Sequence, residues 1–147
     1  MVLSCHIVLP LPTVKPILKL LHTSLDLFSF GGKQYLICVD HWSGYPLFSP
    51  LRSLSSDAII KIHTAWFNLF GWPTSICSDG GPQFCGNFPR FCRLKNITHE
   101  LSVPYNPKSN GLAEAGVKSV KNILRKSHHS GEAQKPRYTN GVMSLVW

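Results

Sequence analysis

From Thr23 to Phe30 the chain alternates, with Leu25 and Leu27 on one side of the pattern and Asp26, Phe28 and Phe30 on the other. A β-strand is predicted there, with a carboxylate set among hydrophobes. Gly31-Gly32 reads as a hairpin turn, Gln34 to Asp40 as a second strand with an apolar centre, and Tyr45 to Phe48, past Ser43-Gly44, as a third that ends at Pro50. Three strands joined by short turns make an antiparallel meander. The period then changes. Ile59, Ile62, Trp66, Leu69 and Phe70 recur at helical spacing between Ser55 and Gly71, with Ser55, Ser56 and Asp57 as capping residues and Gly71 and Pro73 as stops. Thr74 to Ser78 is a short buried strand that presents Asp79 at its C-terminal end, before the break Gly80-Gly81-Pro82. Asn87 caps a short helix running to Leu94, and Ile97 to Val103 forms one more strand.

The stretch from Pro104 to Lys126 is a polar turn leading into a helix. Pro104 and Pro107 bar a helix before them, Ser109 or Asn110 caps the first turn, and Leu112 to Lys126 is rich in helix formers. Asn110, Glu114, Lys118 and Lys121 fall on one face, while Leu112, Val120, Ile123 and Leu124 supply a buried one. Taken alone, Glu114 with Lys118 is an ordinary solvated pair worth a few tenths of a kcal/mol, roughly the scale of other i,i+4 pairs. The β-β-β-α-β-α-β-α order describes an α/β domain with a mixed five-stranded sheet, the meander plus two further strands, and flanking helices. Residues 1–20, with Pro10, Pro12 and Pro16, are expected to be a linker, 21–127 the folded core, and 128–147 an irregular tail.

Composition adds a partner class. Fifteen Lys and Arg oppose seven Asp and Glu, a net charge of +8, and ten of the bases follow Phe84. A basic C-terminal half favours a polyanion, nucleic acid ahead of a membrane surface. No apolar run approaches a membrane span and no export signal precedes the core, so an intracellular protein without a membrane partner is expected. Five cysteines, odd in number and without paired zinc spacing, are expected to be reduced thiols.

Three of the seven acids, Asp26, Asp79 and Glu114, stand where carboxylates are awkward: inside a strand, at a strand tip and in a basic helix. If the first and fourth strands lie side by side, a late helix crossing their ends brings all three together. Clustered carboxylates raise one another's pKa unless a cation neutralises them, and their hard oxygens suit Mg²⁺ or Mn²⁺. Two such ions would activate a water or a 3′-hydroxyl against a phosphodiester.

At these residues the sequence resembles the catalytic core of retroviral and gypsy-type retrotransposon integrases. The resemblance runs through Asp26-Leu-Phe-Ser-Phe-Gly-Gly-Lys-Gln-Tyr-Leu-Ile-Cys-Val-Asp40, Ser43-Gly-Tyr45, Ser78-Asp-Gly-Gly-Pro-Gln-Phe84 and Pro104-Tyr-Asn-Pro-Lys-Ser-Asn-Gly-Leu-Ala-Glu114. It implies a ribonuclease-H-like fold, a catalytic and metal-binding triad at Asp26, Asp79 and Glu114, and two Mg²⁺ or Mn²⁺ ions. It further implies contacts from Asn110, Lys118 and Lys121 to DNA, both transposon ends and target duplex, with homo-oligomerisation and action in the nucleus. Asp79 and Glu114 have 34 residues between them, one fewer than the family's usual spacing, and the family pattern ends near Lys126. The resemblance thus implies a truncated core, and a transposon-derived or domesticated chain that only binds DNA or a partner is the alternative to an active enzyme. Gln83 resembles a family residue beside the second aspartate and reads equally as a turn residue. Asp40 reads as a turn residue, and Trp42, Trp66 and Trp72 as core and rim packing.

Overall fold

The computed structural model describes residues 20–103, 107–129, 137–139 and 142–144, with side chains over 20–103 and 111–126. The linker expected over 1–20, apart from Leu20, the turn at 104–106, the side chain of Asn110 and the rest of the expected tail lie outside the described residues. Strands β1 (His22–Phe30), β2 (Lys33–Asp40) and β3 (Pro46–Leu51) form the antiparallel meander. Helix α1 (Ser56–Phe70) leads to β4 (Ser75–Ser78), and α2 (Pro82–Cys85) and α3 (Phe88–Leu94) lead to β5 (Thr98–Leu101). Helix α4 spans Pro107–His129. Two short strands, β6 (Arg137–Thr139) and β7 (Val142–Ser144), lie within the stretch expected as a tail and extend the sheet at β3 through Phe48 and Met143. The sheet order is β5-β4-β1-β2-β3-β7-β6, with β4 parallel to both β1 and β5. Its first five strands are the mixed sheet of a ribonuclease-H-like fold.

Two cores lie on opposite faces of this sheet. Leu36 and Cys38 of β2 point into one, with Leu25, Ile59, Trp66, Phe67 and Phe88 of β1, α1 and α3. Tyr35, Ile37 and Val39 point into the other, with Phe28, Phe48, Val120 and Leu124. A strand buried on both faces belongs at the centre of a sandwich, and β2 is fully covered from Tyr35 to Asp40. Ser55 caps α1 by accepting the Ala58 N–H at 3.2 Å, and Gly71, at φ 97°, ends it in a conformation that disfavours any side chain.

The helix boundaries differ from the sequence expectation where proline is concerned. Pro107 is the first residue of α4, because a missing N–H is harmless in a first turn. Glu114 consequently stands about two turns into the helix instead of one. The buried stripe of α4 runs through Ala113, Gly116, Val120 and Leu124, whereas Leu112, expected inside, is 39% exposed. In α1, Leu69 is exposed and His63 takes an interior place instead.

Gly116 sets how close α4 lies. A Cβ at this position would stand 2.6 Å from Val39 Cγ2 and 3.4 Å from Ile37 Cδ1. Gly116→Ala should therefore destabilise the fold by about 1–3 kcal/mol, although alanine is the better helix former. In a Val39→Ala background the same substitution should become neutral or favourable; chemical denaturation of the four chains measures the coupling.

His63 is fully buried, stacked on Phe67 at 5.2 Å and flanked by Trp66 and Phe88, with the Ile59 backbone as the polar group that acts on its ring. Burial drives its pKa down from the usual 6.5 to about 3, so the folded protein holds it neutral while the unfolded chain takes up a proton. Its contribution is fully present above pH 6.5 and is lost as the pH falls towards 3. His63→Leu should flatten the loss of stability between pH 6.5 and 4; an unchanged slope in urea titrations across that range would contradict the assignment.

Candidate active site

Asp26 lies mid-strand on β1, on the same face as Phe28, and so beneath α4. Its Oδ1 accepts the Leu27 N–H at 2.8 Å. β4 runs beside β1 in a register that pairs His22 with Ser75, Thr23 with Ile76 and Ser24 with Cys77, an offset of 53 positions. The same 53 positions separate Asp26 from Asp79. Asp26 and Asp79 thus each follow the last pair of this ladder by two residues, at the same end of two parallel strands whose backbones are spaced by about 4.8 Å. Asp79 is exposed just past the end of β4, and its Oδ1 accepts the Gly81 N–H at 3.1 Å. Glu114 is exposed on α4.

Asp79 and Glu114 both act on Asp26. The carboxyl of Asp26 is raised above the ordinary 3.8, first by burial and then by the charges of Asp79 and Glu114, against the Leu27 N–H and the Lys121 ammonium, which lower it. Lys121 is half-buried, with Nζ 5.8 Å from the centre of the Phe28 ring, and so leans inward over β1. Lys118 is exposed. Asp79, Glu114 and Lys121 thus lie near enough to Asp26 for their charges to act on it. The donor set is right for a hard divalent cation, but its closure is incomplete: among the described residues no three His, Cys, Asp or Glu side chains are gathered tightly enough to hold a metal ion. Asp26 and Asp79 each have one oxygen engaged by a nearby backbone N–H.

Asp40 is a turn residue, as read from the sequence. Its Oδ2 accepts the Ser43 N–H and O–H, both at 2.8 Å, which closes the β2–β3 turn. Trp66 is fully buried and Trp72 packs on Phe67 and Phe91 under the Lys95 ammonium, but Trp42, on the β2–β3 turn, is 92% exposed and packs on nothing substantial. The side chain of Gln83 folds over Gly81, where any Cβ would collide with it, and so belongs to the Asp79 turn.

Three neighbours of the site make contacts that the sequence did not announce. Ser56 Oγ–H donates to the Gln83 carbonyl at 2.7 Å and ties α1 to α2. Ser78 and His99 meet at 2.8 Å behind Asp79. Of these, only Ser78 carried a signal, its place immediately before a strand-tip aspartate.

No family model matches the chain. It is 29% identical over 121 residues to the Pol-related polyprotein of mouse intracisternal A-particle MIA14, and 32% identical over 113 residues to the Gag-Pro-Pol polyprotein of squirrel monkey retrovirus. These alignments cover 81% and 74% of this chain but only 14% and 6% of the polyproteins. Among solved structures, the catalytic core domain of BIV integrase superposes with a TM-score of 0.68 at 19% identity, covering 76% of this chain and 74% of that one. A chain of the simian T-cell lymphotropic virus intasome, in a complex with the PP2A regulatory subunit B56 gamma, superposes with a TM-score of 0.69 at 24% identity, covering 80% of this chain and 45% of that one. The chain is therefore related in sequence to a small part of retroviral Pol polyproteins, and it has the fold of the retroviral integrase catalytic cores.

Proposed function

We propose that this chain is a DNA-integration core, a metal-dependent polynucleotidyl transferase and endonuclease that processes and joins DNA ends. The observation that carries the reading is that Asp79 and Glu114, distant in the chain, both bring their charge to bear on the half-buried Asp26. Like charges held near one another are unfavourable unless a cation or a proton relieves them. Asp26, Asp79 and Glu114 are the residues to hold Mg²⁺ or Mn²⁺, two ions in a complete site. When bound, the ions supply charge neutralisation and Lewis acidity for in-line attack on a phosphodiester.

The remaining parts follow from charge and position. Lys118 and Lys121 lie one and two turns past Glu114, and with Asn110 they are the proposed contacts to DNA, through phosphates and therefore largely independent of sequence. Lys121 has a second part, since its ammonium already lowers the pKa of Asp26. The DNA would comprise transposon ends and a target duplex, the reaction would run in the nucleus, and copies of the chain would act as an oligomer. Among the described residues no helix is long and apolar enough to cross a membrane.

A second reading, DNA binding without reaction, is favoured by one observation: the three carboxylates are not drawn into a closed ligand set. Glu114→Gln separates the two. In a Mg²⁺- or Mn²⁺-dependent strand-transfer assay on short duplexes the unmodified chain should cut and join, and Glu114→Gln should lose this by a factor of about 10³ or more. No metal-dependent product from the unmodified chain would leave the binding-only reading. Titration of the Asp26 carboxyl by NMR gives an independent measure: Glu114→Gln should lower its pKa and Lys121→Ala should raise it further. For Lys118→Ala we expect weaker duplex binding of similar size on unrelated sequences, with the slope of log K against log salt reduced by about 1. An unchanged slope would make Lys118 an ordinary surface charge.

A further inference from the structure

Ser78 ends β4 and is 1% exposed. Its hydroxyl lies 3.0 Å from the carbonyl oxygen of Asp79, to which it donates, and 2.8 Å from Nε2 of His99. A hydroxyl has one proton. With that proton directed at the Asp79 carbonyl, Oγ faces His99 as an acceptor, so Nε2 must carry the proton of the second bond. One order of donation makes both contacts hydrogen bonds: His99 Nε2–H to Ser78 Oγ, and Ser78 O–H to the Asp79 carbonyl.

His99 is well placed to set that order. It belongs to β5, which pairs in parallel with β4 from Ser75 opposite Thr98 to Ser78 opposite Leu101. The Ser102 N–H, just past β5, also donates to the Ser78 carbonyl at 2.7 Å, so this stretch holds both the backbone and the side chain of Ser78. The imidazole stands edge-on to the buried Phe88 ring, with centroids 5.0 Å apart at 84°, which limits its rotation. Partial burial lowers its pKa and favours the neutral ring. At the other end of the turn, Ser56 Oγ–H holds the Gln83 carbonyl. Asp79 thus stands at the start of a short segment pinned at both ends, and the Gly81 N–H bond to its carboxylate spans the middle.

We propose that His99 and Ser78 are a positioning pair for Asp79, orienting its peptide, and through it the Asp79–Gly81 turn that aims the carboxylate at Asp26. The proposal rests on the integrase reading for its consequence, because a carboxylate held in one direction is a better partner for a cation than one that wanders. Its first test needs neither metal nor DNA.

The experiment compares the full chain with Ser78→Ala, His99→Leu, the double variant and His99→Gln, which keeps an N–H of comparable reach. Hydrogen exchange of the Gly81 amide, read by NMR, should speed up about tenfold in each single variant and no further in the double, because the two groups act through one bond. The Leu36 amide in β2 should be unaffected, and His99→Gln should recover most of the Gly81 protection. Mn²⁺, titrated alone against each chain, should bind about tenfold more weakly to Ser78→Ala and His99→Leu. Unchanged Gly81 exchange in Ser78→Ala would overturn the pair, as would effects that multiply in the double variant or a His99→Gln chain no better than His99→Leu. If Gly81 responds as stated while the unmodified chain binds no Mn²⁺, the positioning pair stands and the metal reading falls.

Discussion

α4 lies against β2 at Gly116, where even one methyl group would stand 2.6 Å from Val39 Cγ2, and this close approach is what the rest of the site depends on. A helix and a sheet normally meet through interdigitating side chains, which hold their backbones well apart. At Gly116 the helix surface is stripped to backbone, and Ala113 one turn earlier is nearly so. The helix sinks at that point and is then secured by Val120 and Leu124, packed with Phe28, Tyr35, Ile37, Val39 and Phe48. Glu114 lies between Ala113 and Gly116, so the glutamate is carried down to the sheet by the same approach. A bulkier stripe would keep the helix but lift the acid away from Asp26.

The depth of α4 also explains why Lys121 belongs to the site. On a helix held further out, a lysine two turns past Glu114 would extend into water; here its stem lies over Phe28 and its ammonium bears on Asp26. Asp26 is consequently pulled in opposite directions, raised by burial and by two carboxylates, lowered by one backbone N–H and one ammonium. Burial is the largest of these influences. A group in that balance is sensitive to any added charge, and a cation arriving beside it would act in the same direction as Lys121 and with greater force.

Much of this was legible in the sequence because it is local. Alternation around Asp26, the apolar centre of β2 and the Ser55-to-Gly71 period each follow from neighbours a few positions apart, and all three became the elements they describe. The interval from Asp26 to Asp79 equals the offset at which β1 pairs with β4 two residues earlier, which a spacing alone does not reveal. The start of α4 was misjudged because proline was read as a barrier where it serves as a first residue. The contacts of Gly116, His99 and Ser56 escaped notice for a different reason. Their importance comes from Val39, Ser78 and Gln83, between 21 and 77 positions away, and nothing beside them in the chain announces those partners.

The sheet therefore treats its acids unequally. Asp26 sits on a strand flanked by β2 and β4 and needs no further support to keep its direction. Asp79 follows a strand of four residues and opens into two glycines, which leave the backbone free to turn. Hydrogen bonds from elements on both sides offset that freedom, β5 through Ser78 and α1 through the Gln83 carbonyl. Glu114 is placed by neither device but by the depth of its helix. Three acids on a strand, a turn and a helix are each held by a different kind of force, so a change that loosens one need not disturb the other two, and the closure of the site depends on the turn and the helix meeting a strand that is already fixed.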